Sequence, residues 1–387
     1  MDFELWYLIL VPLLFAAGWF ARSFDIKEKQ TIADEKDTLY KGVDLLLSNK
    51  QDQAIDAFIN LVKLDPDTVE MHFSLAGLFR RRGEFDRAIK IHNVLVNRED
   101  LPKKIRSRAL YELGEDYLKA GLWDRAEESF LKLSDTSESY KTIARKELLH
   151  IYETEKEWQK AIDEANIIQR QSGEDQSTRI AQLYCELTQQ NLYFKNFKGA
   201  AEALEKALKV DPNNKRALII KGKMLKAKGD IDGALATWKQ VGQISPAYGT
   251  LVVDQIASLL LEAGRKEEAV QYLEDLFKDG STTDEVDTAG ILLGKAGNSK
   301  EAITLIQEHL KTQPTLVAFY RLIDLRLANE PENESLKQLH GLLKNMLSKA
   351  VRYKCTKCGF ATRKFLWRCP GCHQWETFPP VRQENLS

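Results

Sequence analysis

Through the middle of the chain, apolar and small residues recur with the spacing of amphipathic helices, as in LGEDYLKAGLWDRAEESFLKL at residues 113–133. An alanine stands at the start of every second predicted helix, at intervals of 33 to 39 residues. The eight alanines of this series are Ala54, Ala88, Ala126, Ala161, Ala200, Ala234, Ala269 and Ala302. The pattern predicts an all-α array of about eight helical hairpins between residues 37 and 314.

Glycines and prolines indicate the register of these hairpins. The prolines stand twelve positions after the alanine, where they would end the second helix, and these are Pro66, Pro212, Pro246 and Pro314. Another small residue precedes several of the alanines by twelve positions, as at Gly114, Gly222 and Gly290, and would let two antiparallel helices pack closely. Turn glycines stand five positions before the alanine, and these are Gly83, Gly121, Gly229, Gly264 and Gly297. A period near 34 is that of the tetratricopeptide repeat. We therefore assign residues 37–350 to a tetratricopeptide-repeat solenoid, capped by helices near 316–328 and 335–349.

A solenoid predicts binding rather than catalysis. The chain has no H-E-x-x-H, no G-x-S-x-G and no Walker A loop, so we expect no enzyme and no catalytic residue. Cys185 lies on an apolar helix face and is expected to be a buried small hydrophobe. The same argument places Trp123, Trp158 and Trp238 in the core. For Tyr117 and Tyr152, which lie on first helices, core and groove positions both remain open.

Two C-x-x-C pairs, ten residues apart, lie in KCTKCGFATRKFLWRCPGC at residues 354–372. Cys355, Cys358, Cys369 and Cys372 have the spacing of a tetrahedral thiolate site. We predict that residues 351–387 form a small module in which these four cysteines bind one metal ion, either iron or zinc. Four thiolates leave no open coordination position, so a Lewis-acid role is not expected.

The predicted module is locally basic, with seven Lys or Arg and a single acid, Glu376, between residues 351 and 382. These cations would offset the charge of a thiolate-bound ion, dock on an acidic solenoid or lipid head groups, or bind nucleic acid. Nucleic acid is the least favoured of these ligands, because the whole chain has a net charge of −1 and its N-terminal segment, described next, predicts a location at a membrane. The aromatic residues expected to wrap the site are Tyr353, Phe360, Phe365, Trp367 and Trp375.

Residues 5–21, LWYLILVPLLFAAGWFA, contain no charge and predict a single transmembrane helix. A cleaved signal peptide is disfavoured because Asp2 and Glu4 stand where a positive start is expected. We assign residues 1–21 to the anchor and 22–36 to a juxtamembrane linker. Arg22, Lys27 and Lys29 follow the span, so the positive-inside rule places the C-terminal bulk in the cytoplasm.

An N-terminal anchor, tetratricopeptide repeats and a terminal C-x₂-C-x₁₀-C-x₂-C pair form a specific combination. With segments such as LFRRRGEFDRAIKIH (residues 78–92), AGLWDRAE (120–127) and EWQKAID (157–163), it makes the chain resemble the lipopolysaccharide assembly protein B family of Gram-negative bacteria over its whole length. The tail resembles a rubredoxin knuckle pair, except that His373 stands where rubredoxins usually have glycine.

The resemblance implies a single-pass protein of the inner membrane that regulates lipopolysaccharide synthesis. Family members promote degradation of the LpxC-type deacetylase, which commits carbon to lipid A, by the FtsH-type membrane protease. They also gather other lipopolysaccharide synthesis and transport proteins of the inner membrane. The four cysteines match the metal ligands of the family, whose module packs on the repeats and is needed for function. No groove motif carries over, so partner-binding residues stay unassigned and a homodimer stays open.

Two other functions remain open at this point. One is a membrane scaffold that gathers lipopolysaccharide enzymes without affecting their turnover, and the other is a metal- or redox-sensing binding protein. Disulfide exchange by the C-x-x-C pairs is the least favoured alternative, since a closed metal site masks its thiolates.

Overall fold

The computed structural model describes single residues between 40 and 57 and then residues 69–278, 282–349 and 353–379. The predicted anchor and linker, residues 1–36, lie outside these ranges. Within them, no helix combines the length and the apolar character needed to cross a bilayer. The chain divides into two compact units, Met1–Gly173 and Glu174–Ser387.

In the first unit, the helices of residues 69–173 form consecutive hairpins with short turns. They are α1 (Val69–Arg81), α2 (Phe85–Val96), α3 (Lys103–Ala120), α4 (Trp123–Thr136), α5 (Lys141–Glu155) and α6 (Trp158–Ser172). Tyr117 and Tyr152, left undecided by the sequence, are only 7% and 4% exposed and so belong to the core. The Tyr152 hydroxyl donates a hydrogen bond of 2.7 Å to Glu127.

The second unit continues the hairpin pattern and ends in a small β-hairpin. Its helices are α7 (Ser177–Tyr193), α8 (Phe197–Val210), α9 (Lys215–Ala227), α10 (Ile231–Ile244), α11 (Pro246–Gly249), α12 (Val253–Glu262), α13 (Lys266–Lys278), α14 (Thr283–Lys295), α15 (Ser299–Thr312), α16 (Leu316–Asn329) and α17 (Glu334–Lys349). Strands β1 (Tyr353–Lys354) and β2 (Ala361–Thr362) pair antiparallel. The all-α tetratricopeptide-repeat fold predicted from the sequence is confirmed for the described residues.

The small residues of the repeat lie where neighbouring helices meet. All eight alanines of the series are at most 1% exposed. A β-carbon added to Gly222 would lie 2.2 Å from Trp238 Nε1, and one on Gly114 would lie 2.6 Å from Phe130 Cζ. The facing helix therefore brings a large aromatic ring against the glycine, which requires the absence of a side chain.

The five turn glycines have φ between +74° and +85°, the left-handed region that glycine enters without strain. Trp158 and Trp238 are buried, as predicted, whereas Trp123 is only half-buried. Cys185 is completely buried, and burial raises the pKa of its thiol to about 12. Its prediction as a core residue is confirmed.

One hairpin departs from the regular pattern. Pro246 ends α10, as its position predicts, but it also starts the four-residue helix α11, which stops at Gly249. The following helix, α12, begins only at Val253. This break places Tyr248 at the surface on which the metal module packs.

Candidate metal centre and its docking surface

Two short backbone knuckles hold the four cysteines of the C-terminal module. In the first, the Cys355 N–H donates to the Phe360 carbonyl (2.8 Å) and the Gly359 N–H donates to the Cys355 carbonyl (3.0 Å). In the second, the Cys369 N–H donates to the Gln374 carbonyl (2.9 Å) and the His373 N–H donates to the Cys369 carbonyl (2.8 Å). Each C-x-x-C segment is therefore folded back on itself by its own backbone.

The two knuckles bring all four sulfur atoms together within 4.8 Å of one another. Cys355 Sγ lies 3.7 Å from Cys372 Sγ, and Cys358 Sγ lies 3.6 Å from Cys369 Sγ. A tetrahedral ion with metal–sulfur bonds of about 2.3 Å requires sulfur–sulfur edges of about 3.8 Å. The donor set and its spacing thus fit one four-coordinate ion, and both iron and zinc accept this geometry.

The module favours the thiolate form of Cys355, whereas at Cys358 and Cys372 a backbone hydrogen bond is outweighed by burial and the neighbouring thiols, which raise the pKa of both groups. Burial opposes ionisation of Cys355, but hydrogen bonds from Thr377 and from the N–H groups of Cys358 and Lys357 outweigh it and lower its pKa to about 6. Cys355 and Cys369 are buried, whereas Cys358 is exposed and Cys372 half-buried. The cluster therefore has one inner side, closed by Phe378 and Phe365, and one side that faces solvent.

Equivalent positions of the two knuckles have the same backbone conformation. Gly359, four residues after Cys355, has φ of +76°, and His373, four residues after Cys369, has φ of +57°. Both lie in the left-handed region, which costs a residue with a β-carbon about 1–2 kcal/mol. The knuckle therefore explains why glycine is the expected residue here, and the second knuckle folds the same way with histidine.

The module docks on the solenoid through Glu376, the single acidic residue between residues 351 and 382. The Glu376 carboxylate accepts hydrogen bonds from Gln182 Nε2 at 2.7 Å and from Lys215 Nζ at 3.0 Å, and Asn214 Nδ2 lies 3.4 Å away. Its side chain is 13% exposed, so the ion pair with Lys215 is largely shielded from water. The contact joins the metal module to α7 and α9 and to the loop before α9.

Aromatic packing surrounds this polar contact. Tyr248 stacks on Trp367, with ring centroids 5.6 Å apart, and meets the edge of Phe365 at 6.3 Å. The Arg216 guanidinium lies 5.7 Å from the Trp367 ring and 5.9 Å from the Trp375 ring. Arg216 is buried and also donates to Glu186 at 2.8 Å, which fixes it beneath the module.

The contact at Glu376 differs from one of the roles left open for the module's cations, docking on an acidic solenoid. Here the module supplies the acid and the solenoid supplies Lys215. The predicted aromatic wrapping is only partly right. Phe365 and Trp367 pack on the solenoid and Tyr353 packs against the core of the module, whereas Phe360 is 41% exposed. Among the described residues of the module, Phe378 is completely buried, and the sequence did not single it out.

Comparison with known proteins agrees with both parts of this architecture. A family model described as a rubredoxin metal binding domain matches residues 353–380, and a tetratricopeptide repeat model matches residues 41–100 and 192–246. Lipopolysaccharide assembly protein B of Escherichia coli K12 is 35% identical over 381 residues, which cover 97% of each chain. The chain belongs to the lipopolysaccharide assembly protein B family. The family member from Haemophilus influenzae is 30% identical over 398 residues, covering 97% of this chain and 98% of its own.

The family model places the four cysteines in a metal-binding domain, in agreement with the clustered sulfur atoms. Among solved structures, a tetratricopeptide repeat protein from Parabacteroides merdae covers 72% of this chain and 100% of its own, at 16% identity and a TM-score of 0.32. The alignments with the Escherichia coli and Haemophilus influenzae relatives cover 97% of this chain, so they extend over both its repeats and its terminal module.

Proposed function

We propose that this protein is a membrane-anchored, non-enzymatic adaptor that controls lipopolysaccharide synthesis. The observation that carries the proposal is the similarity to lipopolysaccharide assembly protein B over 97% of both chains. Similarity of this extent includes the repeats and the metal module together, so it concerns the whole arrangement rather than one common domain.

The chemistry of the metal site supports a binding role. Cys355, Cys358, Cys369 and Cys372 are the proposed ligands, and with all four bound the ion has no position left for substrate or water. The ion therefore stabilises the module, whose own buried core is small. The docked module, in turn, presents a fixed surface beside α7, α9 and α11.

The proposed route of action is proximity. Residues 1–21 anchor the chain in the inner membrane with its bulk in the cytoplasm, beside the FtsH-type protease. The solenoid and the metal module bind the LpxC-type deacetylase, which raises the effective concentration of this client near the protease. Other lipopolysaccharide enzymes and transport proteins would assemble on the same surfaces.

The test is the half-life of the deacetylase in cells depleted of the protein. We expect depletion to lengthen the half-life of the deacetylase. Expression of the wild-type protein should restore the short half-life, whereas the double variant Cys355→Ser with Cys358→Ser should not. The matched control is Cys185→Ala, which changes the one cysteine outside the cluster and should restore turnover. An unchanged half-life on depletion would reject the adaptor and favour the non-proteolytic scaffold.

The metal identity decides the sensor alternative. Purified protein that is red and has a reversible reduction potential would favour redox sensing, because iron in four thiolates changes oxidation state. Colourless zinc protein would exclude it, since zinc has no redox chemistry.

A further inference from the structure

The turn between α7 and α8 exposes three large aromatic side chains. Tyr193, Phe194 and Phe197 are 83%, 69% and 66% exposed, and the rings of Tyr193 and Phe194 touch edge to face at 5.3 Å. We call these three residues the aromatic tip. Lys195 adopts φ of +59° in this turn, where five other hairpins have glycine and the α5–α6 turn has Lys156. Asn196 caps α8 by accepting a hydrogen bond from the Gly199 N–H at 3.1 Å. The turn is thus well defined, and its aromatic side chains project outward.

The segment that follows the aromatic tip is strongly basic. Residues 193–229 contain ten Lys or Arg and three acidic residues, a net charge of +7 in a chain whose total is −1. Three of these cations have short ion pairs: Lys215 with Glu376, Arg216 with Glu186, and Lys226 with Glu262. Six others make no ion pair within the described parts of the chain: Lys195, Lys206, Lys209, Lys221, Lys223 and Lys228.

An apolar cavity of about 500 Å³ lies between α8 and α9 in this segment. Its apolar lining is Ala201, Leu204, Leu208, Met224 and Leu225. Lys209, Lys221 and Lys228 line it as well, with Glu205 as its one acid. Phe197 lies one helical turn before Ala201 on the same face of α8, so the tip and the cavity share one side of this helix. We call the cavity with its three lysines the lysine-rimmed cavity.

We propose that the aromatic tip and the lysine-rimmed cavity form a second membrane contact that binds anionic lipid. Aromatic rings favour the interface between lipid and water, and lysines beside them attract the phosphates of anionic head groups. The apolar cavity provides room for an acyl chain below those lysines. Each of the three features, the exposed rings, the unpaired cations and the apolar lining, thus matches one part of the same ligand.

An acidic peptide would match the lysines and the cavity, but it would leave the aromatic tip in water. The tip is a protruding turn rather than a concave groove, and a flat bilayer surface can cover a protrusion that a peptide bound in the cavity would not reach. The observations therefore favour lipid. This inference rests on the proposed membrane location and adds to it a contact outside the anchor.

The test uses the full-length protein mixed with vesicles of phosphatidylcholine, with or without phosphatidylglycerol. Phe194→Cys carries an environment-sensitive fluorophore, and lipids with a quencher at the head-group level report its contact. Leu122→Cys, at the α3–α4 turn, is the control site, since Leu122 is an exposed apolar residue whose aromatic neighbour, Trp123, is half-buried rather than exposed. We expect quenching at position 194 only in vesicles that contain phosphatidylglycerol, and none at position 122.

A charge variant checks the role of the lysines. Lys209→Gln with Lys221→Gln and Lys228→Gln should remove at least about half of the quenching, because each lysine near an anionic surface adds to binding. The control triple, Lys104→Gln with Lys300→Gln and Lys311→Gln, changes exposed lysines elsewhere and should leave it unchanged.

Flotation of the same vesicles separates this inference from the proposed function. If the protein floats with phosphatidylcholine but position 194 is quenched no more than position 122, the anchor stands and the second contact is rejected. If it floats with neither vesicle, both the anchor and the second contact are rejected. If an acidic peptide protects position 194 while anionic lipid does not, the surface is a protein-binding site and the lipid proposal is wrong.

Discussion

The solenoid and the metal module of the second unit reach a stable fold by different routes. The solenoid buries one small residue at each helix crossing and repeats this interface along the chain, so its stability is spread over many similar contacts. The module has a buried core of Cys355, Cys369 and Phe378, and depends on one ion and one docking surface. Damage should therefore stay local in the solenoid but abolish the module as a whole.

The largest expected effect is loss of the metal, and it should be confined to the module. Cys355→Ser with Cys369→Ser removes two ligands from a site that contributes about 10–16 kcal/mol in comparable small zinc domains. We expect loss of bound metal and rapid proteolysis within residues 353–379. The helical signal in circular dichroism should remain close to wild type. A large loss of helix would contradict the separation of the two regions.

The second prediction damages the solenoid and leaves the module intact. Gly222→Ala would place a β-carbon 2.2 Å from Trp238 Nε1, so overpacking should lower the free energy of unfolding by about 1–3 kcal/mol. Gly341→Ala is the matched control, because this glycine of α17 has no atom within 4 Å of the added carbon. The Gly341→Ala substitution should raise the free energy of unfolding by about 0.5–1 kcal/mol, because alanine loses less conformational freedom in a helix than glycine. Urea denaturation measures the stability of both variants. If the two substitutions change stability equally, the close contact between Gly222 and Trp238 is refuted.

The third prediction separates the two regions at their contact. Glu376→Gln leaves Lys215 without its carboxylate partner, and we expect docking to weaken by about 1–3 kcal/mol. Hydrogen exchange should then rise in residues 353–379 and around Lys215, while bound metal is retained. Glu334→Gln, in an exposed pair with Lys337, is the control and should change exchange little. Loss of metal from the Glu376 variant would show that docking and metal binding are not separable.

The smallest effect concerns acid stability of the solenoid. Burial lowers the pKa of His309 below its ordinary value of 6.5, so the folded state favours the neutral ring. Above pH 6.5 the His309 ring is neutral in both the folded and the unfolded protein, so it does not change the free energy of unfolding. Below pH 6.5 the unfolded chain binds the proton more readily than the folded protein, so stability falls as the pH decreases. His309→Gln should reduce the pH dependence of urea unfolding between about pH 7.5 and 5.5. An unchanged slope would exclude this histidine as a cause.

The sequence predicted the solenoid well because each repeat carries its own local signal. Gly114 and Gly222 lie at tight crossings, and Gly83 and Gly229 adopt positive φ, as their positions in the repeat indicate. The four cysteines were predictable for the same reason, since ligand spacing within a knuckle is a local property. Local signals of this kind do not require knowledge of distant contacts.

What the sequence did not reveal depends on residues far apart in the chain. Glu376 and Lys215 are separated by 161 positions, and nothing local marks them as partners. Pro246 predicts a helix end, but it does not predict the short helix α11 that follows and positions Tyr248. Phe194 and Phe197 carry no local signal of exposure, because large aromatic residues beside a helix are more often buried than exposed. Their exposure appears only once the turn around Lys195 is known.

The separation between Glu376 and Lys215 also has a consequence during synthesis. At about 5–20 residues per second, the ribosome needs on the order of 10–30 s to add the chain between these two positions. During that interval Lys215, Arg216 and Tyr248 have no module above them, even if the hairpins have already folded. A nascent or prematurely terminated chain therefore displays a basic and aromatic surface that the finished protein hides. Quality-control factors that recognise such surfaces could distinguish incomplete chains from complete ones by this single feature.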